Sequence, residues 1–222
     1  MSKPSISSSD IPSNRLHRPS LRWIVYPFLR VVIAVVFAFL GPIRIRGRRN
    51  FPRRGGVLII ANHLSNVDPV VTQYACPRLV YFLAKSILFE VPVVKTALGF
   101  WRAVSINQGQ PDPAAFRQLI ALLRAGYPVC VYPEGGLSDT GELKDIHRGI
   151  ALIIRATGVP VICLALRNTD KVLPYRARMP RFSGRFVWAT WDKPHVFAPG
   201  ASNEEVTRWV SEQLRDLLDE DK

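Results

Sequence analysis

Three short apolar runs most constrain the fold: Val57–Ala61, residues 127–132 and residues 160–166. Each is bounded by glycine, proline or polar residues and is too short for an ordinary helix. None alternates, so each reads as a strand buried on both faces. Helical patterns lie between them. Asp112-Pro113 opens one, Phe116, Leu119, Ile120 and Leu123 form its apolar face, and Gly126 closes it. A second runs over residues 146–156, with Ile150, Ile153 and Ile154 on one side and Gly158 after it. Strands alternating with such helices predict an α/β fold, a mixed, largely parallel sheet with helices on its faces. Residues 79–84, 101–106 and 186–191 are further strand candidates, and residues 92–99 a short helix. Ser202-Asn-Glu-Glu205 is a capping box, and Val206, Trp209, Val210, Leu214 and Leu217 stripe the helix after it.

The first run ends abruptly in Asn62-His63, and Asp68-Pro69 follows. Asp68-Pro69 reads as a helix start, with Asp68 near the N-cap and Pro69 at the first helical position. His63 then leaves a buried strand in a short loop with a carboxylate in reach. A neutral imidazole accepts a proton, and a carboxylate on its other nitrogen fixes the tautomer and stabilises the imidazolium. His63 is the candidate general base and Asp68 its orienter. Ser65 lies in the same stretch, but no Gly-x-Ser-x-Gly elbow presents it as a nucleophile. The second run leads into Tyr132-Pro-Glu-Gly-Gly-Leu-Ser138, where Glu134 precedes two glycines whose backbone a ligand can approach.

Taken together, Asn62-His63-x4-Asp68 and Pro133-Glu134-Gly135 with Ser138 resemble the first and third motifs of the glycerolipid acyltransferases, typified by 1-acylglycerol-3-phosphate acyltransferase. The likeness covers about residues 44–194, and Val159-Pro160-Val161 matches the family's fourth, apolar motif. The resemblance implies a membrane-bound O-acyltransferase of phospholipid biosynthesis. It would move a fatty acyl group from acyl-CoA or acyl carrier protein to the hydroxyl of a lyso-lipid, foremost 1-acylglycerol-3-phosphate. It implies catalysis by His63 and Asp68 and acceptor binding by Asn62, Glu134, Gly135 and Gly136, with no metal and no further cofactor. Two positions depart from the family. Where arginines commonly serve the acceptor's phosphate, this chain has Asn107 (eight residues after Gly99) and Leu137. Neither can imitate the bidentate guanidinium fork. Lys85, Arg102, Lys144 and Arg148 are the candidate substitutes. Another acceptor, a lysophospholipid with a larger headgroup or lyso-ornithine lipid, stays open.

The charge pattern bears on partners. Thirty Lys and Arg against 17 Asp and Glu give a net +13, which points to an anionic partner. The arginines gather around the most apolar stretch, residues 21–43, and no aromatic-interleaved basic pattern or recognition helix appears, so anionic lipid is expected rather than nucleic acid. Within that stretch residues 31–40 are apolar without a break, short of the roughly 20 that a spanning helix needs. A helix or helical hairpin lying in one leaflet is expected, with Arg22 and Arg30 reaching for headgroups, on the cytoplasmic face of a bacterial inner membrane. Residues 1–20, rich in Ser, Pro and Arg, read as a disordered basic tail, and 44–222 as the acyltransferase domain. The three cysteines and four histidines show no metal spacing.

Overall fold

The computed structural model describes residues 22–85, 103–106 and 112–219, with the backbone alone at 22–26 and 85. Its centre is a sheet of strands β1 (Ile43–Arg46), β2 (Val57–Ala61), β3 (Tyr81–Lys85), β4 (Val104–Ile106), β5 (Pro128–Val131), β6 (Val161–Arg167) and β7 (Val187–Trp191). Their order across the sheet is β1-β7-β6-β2-β5-β3-β4. Neighbours are parallel throughout except β6 and β7. The expected mixed, largely parallel sheet is therefore present. Strand β2 lies in its middle, paired to β5 through Ile59 and Cys130 and to β6 through Ile59 and Ile162.

The helices are α1 (Arg22–Leu40), α2 (Asp68–Ala75), α3 (Pro113–Arg124), α4 (Gly149–Thr157), the single turn α5 (Thr169–Val172) and α6 (Asn203–Asp219). Alternate residues of the central strands feed two apolar layers. Leu58, Ile60, Val129 and Cys163 pack on one face with Leu119 of α3, Ile154 of α4 and Leu214 of α6. Ile59, Ala61, Ile162 and Leu164 pack on the other with Val71 of α2 and Ile33 and Phe37 of α1. Every residue of β2 is buried because both faces are covered. The capping signals act as expected: Asp112 accepts from the amide of Ala115 at 3.0 Å, and Ser202 from that of Glu205 at 3.0 Å.

Several boundaries and contacts differ from expectation. Strand β1 was not anticipated, since four residues alternating Ile and Arg carry too little pattern, and its partner β7 lies some 140 residues on. Helix α4 begins at Gly149 rather than 146, because the amide of His147 is bonded to the carbonyl of Pro133. Asp68, expected near the N-cap, is the first residue of α2 and follows the N-cap Val67. Residues 22–40 form one helix and no hairpin. Arg30 does not reach outward. Its guanidinium donates to the carbonyl of Cys76, at the C-terminus of α2, and lies over the ring of Tyr74. The expected helix at 92–99, the tail at 1–20, and Gly99, Arg102 and Asn107 lie outside the described residues, as does the side chain of Lys85. No helix among the described residues is long and apolar enough to cross a membrane.

Candidate active site

Parallel strands deliver their following loops to one edge of a sheet, which is where ligands bind in open α/β folds. Here β2, β5 and β6 end together, and the segments after β2 and β5 carry the two motifs. Nδ1 of His63 lies 2.8 Å from Oδ2 of Asp68. The same oxygen accepts from the amides of Leu64 and Ser65, each at 2.7 Å. Asp68 is fully buried and opens α2, so three donors converge on one of its oxygens beside the N-terminus of that helix. An acceptor so loaded requires the hydrogen on Nδ1, which leaves the lone pair of His63 on Nε2. The imidazole stacks on the ring of Tyr132, with centroids 4.1 Å apart and planes 16° from parallel. Burial pushes the Tyr132 phenol well above its ordinary range.

Glu134 fixes the backbone of the same histidine. Its Oε1 accepts from the His63 amide at 2.8 Å and its Oε2 from the Lys144 amide at 3.0 Å. Burial pushes the Glu134 carboxyl up, and those two amides pull it back down. The carbonyl of His63 accepts from the Ser138 amide at 2.7 Å, so the third-motif segment holds both the amide and the carbonyl of the histidine. Asn62 clasps β6: it donates to the carbonyl of Leu166 at 2.9 Å and accepts from that residue's amide at 2.7 Å. Asn62 and Glu134 are thus buried positioning groups, with their polar atoms on backbone partners. Gly135 adopts φ 69°, and a Cβ there would collide with the ring of His147, whereas a Cβ at Gly136 would meet open space. Ser65 is 1 % exposed and donates to the carbonyl of Leu173 at 2.7 Å, a setting that does not present a nucleophile.

Of the cations expected to replace the missing arginines, Lys144 is spent locally, 2.8 Å from Asp139 and 2.9 Å from the carbonyl of Leu137. Arg148 is exposed at the N-cap of α4. A cleft of about 990 Å³ opens beside Leu64 and Ser138, next to the His63 turn. Arg167, Lys171, Arg181 and Arg215 line it, together with the carboxylates of Asp139, Glu142, Asp170 and Asp219; Lys171 is paired with Asp170 at 2.6 Å, and Arg167 donates to the carbonyl of Leu218 at 3.5 Å. These cations come from the end of β6, from α5 and the chain after it, and from α6. Nothing local in the sequence groups them. Tyr132 did carry a signal, being the aromatic immediately before Pro133-Glu134.

The Acyltransferase family model matches residues 42–167, from the start of β1 to the end of β6, including His63, Asp68 and Glu134. The chain belongs to the Acyltransferase family. Its relatives include the 1-acyl-sn-glycerol-3-phosphate acyltransferase of Borreliella burgdorferi, 28% identical over 57% of this chain and 51% of that protein. That of Pseudomonas aeruginosa is 24% identical over 90% of this chain and 80% of that one. The chain spans about half of the Borreliella relative and 38% of the chloroplastic one of Brassica napus. In the solved structures, the 1-acyl-sn-glycerophosphate acyltransferase of Thermotoga maritima shares the fold, with a TM-score of 0.74 over 89% of this chain and 80% of that one at 23% identity. Within the matched span of this Acyltransferase family member, His63, Asp68 and Glu134 fall at the carboxyl edge of the sheet.

Proposed function

We propose that the protein is an O-acyltransferase acting on a lyso-lipid hydroxyl, foremost that of 1-acylglycerol-3-phosphate, with a thioester, acyl-CoA or acyl carrier protein, as donor. The observation that carries this is the His63–Asp68 pair at the exit of β2, beside a cleft and within the acyltransferase motif. In the reaction the acceptor oxygen attacks the thioester carbonyl while Nε2 of His63 takes its proton. The tetrahedral intermediate then expels the thiolate, which recovers that proton from the imidazolium. No serine ester is needed, because the acceptor is itself the nucleophile.

The acceptor's phosphate needs a clamp, and Leu137 cannot supply one. This reading assigns the role to Arg167, Arg181 and Arg215 in the cleft. Burial lowers the Arg167 pKa from its ordinary value, the mark of a guanidinium partly removed from water. Purified protein offered equal amounts of lysophosphatidate, a headgroup-bearing lysophospholipid and lyso-ornithine lipid is expected to acylate lysophosphatidate first. Arg167→Ala should then raise its KM about tenfold, the worth of one charge-assisted hydrogen bond. Acylation of another lyso-lipid with lysophosphatidate ignored would overturn the substrate assignment, and Leu137 would then mark a different headgroup.

The reading also places the enzyme on a membrane surface. Leu29, Ile33, Phe37 and Leu40 turn one stripe of α1 onto the core. Phe28, Val31, Val35 and Phe39 on the other side are 53–73 % exposed. An arginine-flanked helix with such a face suits the interface plane of one leaflet. Because α1 also covers core residues, point changes test this better than deletion of the segment. Phe28→Asp with Phe39→Asp should shift the protein from the membrane pellet to the soluble fraction. Wild-type protein recovered soluble without detergent would exclude the membrane assignment.

A further inference from the structure

Of the loop of residues 174–186, between α5 and β7, the chemistry above uses only Arg181. It contains Arg176, Arg178, Arg181 and Arg185, all exposed, and the chain has no Asp or Glu between Lys171 and Trp191. Met179 is 78 % exposed and Phe182 74 %, more than any other large hydrophobic side chain among the described residues. Such exposure in a loose strand of chain would mean little, but this loop is tied along its length. Just before it, the carbonyl of Leu173 accepts from Ser65, two residues from His63. Within it, the Arg181 amide donates to the carbonyl of Val172 at 2.8 Å, and Ser183 both donates to the Arg185 carbonyl and accepts from its amide. Its far end joins α1: the Ser183 amide donates to the carbonyl of Leu40 at 2.7 Å, and the Val187 amide to that of Pro42 at 3.0 Å. Phe186 is covered by the guanidinium of Arg44, 4.6 Å from the ring centroid.

We infer that residues 174–186 form a second membrane contact, in which Met179 and Phe182 enter the acyl–headgroup boundary of an anionic bilayer and Arg176, Arg178 and Arg185 lie at its phosphates. Three observations choose a bilayer over another partner. The apolar side chains and the cations are interleaved on one short loop, as an interface of hydrocarbon and phosphate requires. The loop is bonded to the end of α1 next to Phe39, itself 73 % exposed, so the two apolar surfaces adjoin. And Tyr175 and Arg181 line the cleft beside the His63 turn, so the contact would set the cleft mouth against the surface from which an amphiphile arrives. A nucleic acid would match the arginines but leave Met179 and Phe39 without partners. The purpose of the contact rests on the lyso-lipid reading, whereas the contact itself does not.

The test uses the full chain with Met179→Cys carrying an environment-sensitive fluorophore. The native thiols Cys76, Cys130 and Cys163 are buried, and burial pushes the first of them up to about 12, so the label should go to position 179. On phosphatidylcholine vesicles containing phosphatidylglycerol the emission should shift to the blue and be quenched by lipids with a nitroxide on the acyl chain. A label placed through Glu212→Cys, on the exposed side of α6, should stay water-like. Met179→Ser with Phe182→Ser should weaken vesicle binding at least about tenfold, and Arg178→Gln and Arg185→Gln about fivefold each, with loss of the phosphatidylglycerol dependence. A water-like label at position 179 on protein that still sediments with vesicles would overturn the inference while leaving the α1 contact standing. A shift caused by a single-stranded oligonucleotide but not by vesicles would overturn it in favour of nucleic acid. Wild-type protein that ignores vesicles yet acylates detergent-dispersed lyso-lipid would overturn both membrane contacts and leave the enzymatic reading intact.

Discussion

His63→Ala should lower the acyl-transfer rate by about 10²–10⁴-fold, the usual worth of a general base, while the protein stays folded. The ring is only partly buried, and its removal uncovers one face of Tyr132 and takes one of three donors from Asp68. The amides of Leu64 and Ser65 remain on the Asp68 carboxylate, so the turn keeps its shape. The stability cost should be about 1–3 kcal/mol, that of a weakened buried hydrogen-bond network. Single-turnover rates on acyl-CoA and lysophosphatidate, beside a thermal melt of the same sample, separate the two effects. A folded variant within about threefold of wild type would remove His63 from the proton transfer, since base catalysis is worth far more than that.

What could be read from the sequence was what is local. The buried run Val57–Ala61, the histidine at its exit and the carboxylate at the next helix start lie within a dozen residues, and the chain alone placed them together. Asp68 opens α2 next to its N-cap, about where the Asp-Pro pair puts it. The contacts that hold the pair are long-range and left no local trace. Glu134 reaches the His63 amide across 71 residues, and Asn62 reaches Leu166 across 104. The resemblance implies that both serve the acceptor, and in the fold their polar atoms lie on backbone partners. Arg30 shows the same limit. An arginine in an apolar helix suggests snorkelling, yet the end of α2 offers the carbonyl of Cys76 first. The cleft cations follow this rule too. Lys144, one of the four candidates, pairs with Asp139, whereas Arg167 and Arg215 meet at the cleft only because β6 and α6 end there.

Asp68→Asn should be nearly as damaging to the rate, for a reason that separates orientation from charge. In the wild type three donors converge on Oδ2, while Oδ1 is buried with no hydrogen-bond partner among the described residues. The asparagine carbonyl must take the Oδ2 place, because an NH2 there would face three N–H groups. Its NH2 is then forced into the site of Oδ1 and buried without an acceptor, which costs about 1–3 kcal/mol. For a domain of this size that is a fall in Tm of about 2–4 °C per kcal/mol. The carbonyl can still accept from Nδ1 and hold the tautomer, so His63 remains in position to receive the proton. What is lost is the negative charge that stabilises the imidazolium as the acceptor oxygen attacks. The chemical step should slow by about 10²–10⁴-fold with little change in KM, since no acceptor contact is removed. Asp68→Ala should cost more stability than Asp68→Asn, because it strands the Leu64 and Ser65 amides as well. If Asp68→Asn instead raises KM and leaves kcat near wild type, Asp68 acts only by shaping the turn, and imidazolium stabilisation has no part in the rate.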